Sequence, residues 1–183
     1  MRKLSMEELN RVSVEQFKDM DKLPLVCVLD NIRSQHNIGS VFRTADAFRI
    51  EKLLLCGITA TPPNREINKT ALGATESMEW SYYPVVTDAI MELKSNGYLI
   101  VAVEQAVDSI PLQYFKPEPG DRIALVFGNE VNGVSEEVMA LADACIEIPQ
   151  FGTKHSLNVS ITAGIVLWSV FLALRQDAPE FSI

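Results

Sequence analysis

Cysteine and histidine are scarce in this chain, and their scarcity removes whole classes of chemistry. Cys27, Cys56 and Cys145 are odd in number, far apart and flanked by apolar residues. They predict reduced core thiols rather than a disulfide framework, and with them a cytosolic (cytoplasmic) protein. Two separated histidines and no cysteine pair give no metal-ligand spacing, so no metal is expected. Long apolar runs are missing as well. Ile161 to Leu174 comes nearest, at about 14 residues, and it carries Thr162, Gly164 and Ser169. A bilayer needs roughly 20, so this segment predicts a buried or interface helix and no membrane partner. The opening Met-Arg-Lys runs into an amphipathic, acidic stretch, unlike a secretory signal. Basic charge is also in deficit: 16 Lys and Arg face 24 Asp and Glu, a net charge of −8. That disfavours indiscriminate binding to nucleic acid, which rests on phosphate neutralisation. It leaves room for a local basic patch from Arg33, Arg43, Arg49, Arg65, Lys69 and Lys154. No repeat, linker or low-complexity segment interrupts the chain.

What is present suits one α/β domain over 1–183, with 1–23 as an N-terminal helical extension. The 183 residues are 48% hydrophobic and 22% charged, enough for a substantial core. Ser5-Met6-Glu7-Glu8 reads as a capping box opening a helix to about Met20, with Leu9, Val12 and Phe17 on one side. Leu25 to Leu29, Lys52 to Cys56, Tyr98 to Val103, Arg122 to Phe127 and Ala144 to Ile148 read as strands. Asn37 is placed to cap a helix whose apolar positions are Ile38, Val41, Phe42, Ala45 and Phe48. Thr87 caps a helix ending at Gly97, Ser135 caps a short one, and Asn158 to about Arg175 forms the last. Asn64 to Leu72 reads as a polar connection, Ile110 to Gly120 as a loop, and the last eight residues as a loose tail. Strand and helix alternate, which predicts a parallel sheet flanked by helices.

Three polar, glycine-bearing segments fall at strand-to-helix junctions, where parallel sheets gather ligands. The first is Asn37-Ile38-Gly39-Ser40-Val41-Phe42-Arg43. Arg43 sits among helix positions that otherwise read as buried, and a cation near a helix N-terminus opposes the dipole. A solvated face explains it blandly; retention for an anion or a reacting group explains it more sharply. Gly39 admits a neighbouring backbone or a ligand. The second segment is Phe127-Gly128-Asn129-Glu130-Val131-Asn132-Gly133. It is neither a phosphate loop ending in Gly-Lys-Ser/Thr nor a GxGxxG fingerprint, and its acid would repel a phosphate. Glu130 suits a cation such as an arginine or an amino group, although Gly-Asn is also ordinary turn chemistry. The third is Gly152 to Ser160, where Ser156 and Asn158 are both possible caps. His155 beside Ser156 makes no triad, since no acid partner is identifiable.

Taken together, Asn-x-Gly-Ser-x-x-Arg, Phe-Gly-Asn-Glu-x-x-Gly and Ile-Pro-x-x-Gly-x-x-x-Ser-Leu-Asn-Val-Ser resemble the three signature motifs of the SpoU (TrmH-like) branch of the SPOUT RNA methyltransferases. The resemblance runs from about Pro24 to Leu174. It implies a C-terminal trefoil knot, a homodimer, S-adenosylmethionine as methyl donor, and a ribose 2′-hydroxyl of RNA (tRNA ahead of rRNA) as acceptor. By position it implies that Arg43 activates that hydroxyl, that Asn37 and Glu130 support the site, and that Ser156 and Asn158 lie near donor and acceptor. It implies that the backbone at Gly128, Ile148 and Leu157 grips the adenosine, with Gln105 lining the adenine pocket. Two rival readings remain: a non-catalytic RNA-binding or ribosome-assembly protein on this fold, and a nucleotide-binding α/β enzyme of another kind. The chain departs from the resemblance in its acidity and in lacking a sizeable extra RNA-binding domain.

Overall fold

A computed structural model of the chain describes residues 1–5, 7–118 and 120–175. The N-terminal capping box forms, with Ser5 N–H on Glu8 Oε2 at 2.7 Å and Glu8 N–H on Ser5 Oγ at 3.3 Å. It opens one 3-10 turn, Glu7–Leu9, rather than a helix to Met20. Asn10 enters the left-handed region at φ 46° and ends that turn. Ser13 and Gln16 then form a second capping box that starts α1, Val14–Asp19. Of the three apolar residues expected on one side, only Phe17 is buried.

The rest alternates as expected, with β1 (Leu23–Asp30), α2 (Gln35–Ala47), β2 (Ile50–Cys56), α3 (Arg65–Ala71), α4 (Ala74–Ser77), β3 (Trp80–Tyr83) and α5 (Val86–Ser95). Then come β4 (Leu99–Val103), β5 (Ile110–Pro111), a 3-10 turn at Leu112–Tyr114, β6 (Ile123–Phe127), α6 (Glu136–Leu141), β7 (Ala144–Glu147) and α7 (Val159–Leu174). Several boundaries differ from the sequence reading. Ser34, not Asn37, caps α2, accepting the Asn37 N–H at 3.3 Å. The Asn37 side chain is thereby released for other partners. Asn64 to Leu72 is no plain connection: Asn64 caps α3, and Ile67 and Ala71, four apart, bury one face of it. β3 and β5 are too short to show a period of two. α5 starts at Val86 without a side-chain cap, so Thr87 lies inside the helix. Ser135 precedes α6 but its hydroxyl makes no capping bond. The expected loose tail lies outside the described residues.

All seven strands are parallel, in the order β3-β2-β1-β6-β4-β7-β5. The central strands are buried on both faces, as parallel strands between helical layers must be. Alternate residues of β1 serve different cores. Leu25, Cys27 and Leu29 pack with α1, α2, α3, α4 and α7, while Val26 and Val28 face α5 and α6. Gly39 lets α2 approach α3: a Cβ there would lie 2.2 Å from the Ile67 carbonyl oxygen. Its neighbour is therefore backbone, not ligand. Cys27 and Cys56 are buried free thiols and Cys145 is half-buried.

Candidate functional site

The C-terminal ends of β1, β6 and β7 carry the three segments, β4 between β6 and β7 adds Glu104 and Gln105, and hydrogen bonds join the segments. Glu130, in the turn after β6, accepts the backbone N–H groups of Arg33 and Ser34 at 3.0 Å each. It also accepts the Asn37 side-chain amide at 3.3 Å. Asn37 in turn accepts the side-chain amide of Asn158 at 3.1 Å. Asn158 caps α7: its Oδ1 accepts Ser160 N–H at 2.9 Å, Ile161 N–H at 3.4 Å and the Ser160 hydroxyl at 2.6 Å. The relay therefore runs one way, from the α7 cap through Asn158 and Asn37 to an anionic acceptor. Among the described residues Glu130 pairs with no side-chain guanidinium or amino group; its partners are backbone and amide N–H donors. Burial pushes its carboxyl pKa up, but the backbone N–H groups of Arg33, Glu130 itself and Ser34, with the Asn37 amide, together outweigh this and hold it below the usual carboxylate range.

Backbone packing fixes the second segment. A Cβ on Gly128 would lie 2.0 Å from the Val134 nitrogen and 2.1 Å from the Gly133 carbonyl carbon, so only glycine fits without backbone movement. Asn129 is buried; its Oδ1 accepts the Val131 and Asn132 N–H groups at 2.9 and 3.2 Å, and its amide reaches the Asn31 carbonyl at 2.6 Å. The turn chemistry seen in sequence is thus also a bridge to the end of β1. Across the site, Gln105 donates to the His155 carbonyl at 2.7 Å and ties the third segment to β4.

These pieces enclose a cavity of about 720 Å³. Gln105, Gly128, Glu130, Ile148, Ser156, Leu157 and Asn158 line it. Asn37 touches that wall through Glu130 and Asn158 without lining the cavity. Arg43 lies outside it, exposed on α2, and its side chain makes no hydrogen bond or ion pair among the described residues. Of the expected basic patch, Arg33, Arg65, Lys69 and Lys154 are exposed, whereas Arg49 sits at the opposite end of the sheet, its carbonyl accepting the Leu23 N–H. Sequence reasoning missed Glu104 and Glu147, which also line the cavity. Their placement at the ends of β4 and β7 was the available signal, although neither belongs to a motif with a fixed chemical reading.

The lining is chemically selective. It holds Glu104, Glu130 and Glu147 and, among the described residues, no Lys or Arg. Phosphate is poorly served by such a wall; a cationic or zwitterionic ligand with an apolar body is well served. Among the described residues there is no cluster of three or more His, Cys, Asp or Glu able to hold a metal, and no helix long and apolar enough to cross a membrane.

Fold and site together define a parallel α/β domain with a composite ligand site over the strand ends. The model of the SpoU rRNA Methylase family matches residues 24–168, and the chain belongs to that family. It is 33% identical over 172 residues to the tRNA (guanosine(18)-2'-O)-methyltransferase of Thermus thermophilus, covering 92% of this chain and 84% of that protein. It is 31% identical over 159 residues to the 23S rRNA (guanosine-2'-O-)-methyltransferase RlmB of Neisseria meningitidis, covering 86% of this chain but 62% of the relative. The chain therefore spans under two thirds of the length of some relatives. Among solved structures, an A. aeolicus TrmH/SpoU tRNA modifying enzyme superposes with a TM-score of 0.79 at 25% identity, covering 91% of this chain and 83% of that one. An AdoMet-bound rRNA methyltransferase from Sinorhizobium meliloti superposes at 0.77 with 27% identity, covering 88% and 60%.

Proposed function

We propose that this chain transfers a methyl group from S-adenosylmethionine to a ribose 2′-hydroxyl of RNA. The cavity carries the reading: it is built from glycine-admitted backbone, bordered by apolar Ile148 and Leu157, acidic, and free of Lys and Arg among the described residues. Those features suit an adenosine bearing a sulfonium and an amino acid, and suit NAD, with its pyrophosphate, badly. The backbone at Gly128, Ile148 and Leu157 would hold the adenosine, with Gln105 near the adenine. Once bound, the donor supplies an electrophilic methyl that needs no acid for its leaving group.

The acceptor is the harder partner, because a 2′-hydroxyl is a poor nucleophile at neutral pH. Arg43 is the residue assigned to it. A guanidinium hardly ever loses its proton, so Arg43 orients the adjoining phosphate and lowers the cost of the developing alkoxide. Asn158 lines the cavity and is oriented by the relay, so it stands ready to meet donor or acceptor. Glu130 is already committed to N–H donors, so its work is to hold Asn37 and the start of α2 in place. Ser156, which lines the cavity and caps nothing, is free to meet donor or acceptor.

Exposed Arg33 and Arg65 offer phosphate contacts despite the acidic total, and Lys69 does so if it leaves its ion pair with Glu66 at 2.7 Å. tRNA stands ahead of rRNA as substrate because the tRNA-modifying relative is matched over more of its length. A homodimer is part of the reading. Ile161, Ile165 and Trp168 share one face of α7 and remain 56%, 41% and 44% exposed, an apolar stripe that a second copy would cover beside Arg43. A trefoil knot and a cytoplasmic location belong to the same proposal. So does the assignment of residues 1–23 as an extension of one domain, supported by Phe17 lying in the main core.

Calorimetry with S-adenosylhomocysteine and with NAD tests the donor site. Binding of the first and silence from the second is expected; the reverse would overturn the assignment. Nucleoside mass spectrometry of RNA from a deletion strain should show loss of one 2′-O-methyl mark, and an unchanged profile would remove the acceptor.

A further inference from the structure

The three carboxylates of the cavity are not equivalent. Glu104 accepts the N–H groups of Gln105 and Val134 at 2.8 and 3.0 Å. Glu130 accepts three N–H donors, as described above. Both charges are thus met by fixed dipoles. Glu147 is half-buried in the cavity wall, and its carboxylate makes no hydrogen bond or ion pair among the described residues. It is the last residue of β7, held in the sheet by its pairing with Pro111. An anion with neither partner nor full hydration gains most when a cation enters beside it.

Methyl transfer changes the charge in this cavity. The methyl–sulfur bond breaks and its electron pair stays on sulfur, so a sulfonium becomes a neutral thioether. The methyl carbon bonds to the ribose oxygen, whose proton passes to solvent. Donor and product therefore share adenine, ribose, amino and carboxylate groups and differ by one positive charge. Resting on the methyltransferase reading above, we propose that Glu147 is a specificity-determining residue: it favours the charged donor over the neutral product and so promotes product release. Contacts with the shared groups cannot make that distinction, because they are equal for both ligands.

The test is calorimetric binding to the full chain, wild type and Glu147→Gln, with three ligands at low and high salt. The ligands are S-adenosylmethionine, S-adenosylhomocysteine and 5′-methylthioadenosine, which lacks both the sulfonium and the amino acid. Glu147→Gln should weaken the donor by roughly fivefold to tenfold and leave the other two within about twofold. Thermal midpoints confirm that the variant folds. Equal losses for donor and product with 5′-methylthioadenosine unchanged would place Glu147 on the amino group and overturn the proposal. Equal losses for all three would place it on the adenosine, and no loss would remove it from the site. Wild-type protein that binds none of the three overturns the methyltransferase reading itself, a result distinct from a selectivity that fails to move.

Discussion

Replacing Asn158 by aspartate separates two jobs held by one side chain. The Oδ1 atom caps α7, and aspartate caps as well, with a charge that the helix N-terminus favours by about 0.3–1 kcal/mol. The Nδ2 atom donates to Asn37 Oδ1 at 3.1 Å, and a carboxylate cannot. Nor can Asn37 compensate by flipping, because its oxygen would then face Glu130 where its amide now donates at 3.3 Å. Losing that exposed hydrogen bond costs about 0.5–1.5 kcal/mol. The two effects nearly cancel, so Asn158→Asp should melt within about 4 °C of wild type. Asn158→Ala loses cap and relay together, about 2 kcal/mol, and should melt roughly 4–8 °C lower. Activity should rank differently. In single-turnover methylation at saturating donor, Asn158→Asp at pH 8 should be slower on the order of 10²-fold, as when one oriented donor is removed from a charge-stabilising site. The deficit should persist down to pH 5, because an aspartate of ordinary pKa about 3.9, favoured as the anion at a helix N-terminus, stays ionised there and offers Asn37 no donor. An Asn158→Asp enzyme within about threefold of wild type at pH 8 would refute the relay.

Arg43→Ala should abolish transfer with donor affinity unchanged, and Arg43→Lys should also fail because a point charge cannot reproduce the planar fork; near wild-type single-turnover rates in either would require another activating group. Gly128→Ala must displace backbone at Val134 or Gly133, so urea denaturation should show a loss of about 1–3 kcal/mol and calorimetry a weakened donor site. Glu130 has a depressed pKa, so its stabilisation is complete above the unfolded value of about 4.3 and is lost as pH falls through the lower folded value. Urea midpoints from pH 6 to pH 3 should therefore fall more steeply in wild type than in Glu130→Gln, and parallel curves would contradict this account of the N–H donors. Sedimentation at micromolar concentration should show a dimer, and Trp168→Glu should give a monomer; a stable wild-type monomer would remove the covered α7 face.

Local pattern alone determined much of this protein. The apolar runs at Leu25 to Leu29 and Ile123 to Phe127 are strands because a strand buried on both faces needs an unbroken run, and that need is visible within five residues. The α7 boundary at Asn158 was legible for the same reason, since a cap acts on N–H groups two and three residues away. The three segments were legible as a set through their glycines and paired polar residues. What tertiary structure decided is which partner each polar group takes. Asn37 read as the cap of α2, but Ser34 caps it, and Glu130 and Asn158, 93 and 121 residues from Asn37, take the asparagine side chain. α3 was missed because Asn64 to Leu72 is polar but for Ile67, Ala71 and Leu72, and it becomes a helix against Gly39 of α2. Arg49 looked like its basic neighbours and lies at the far end of the sheet. Glu147 carries no motif at all. Its character depends on the donors that satisfy Glu104 and Glu130 and do not reach it, a fact of spatial arrangement that no spacing along the chain encodes.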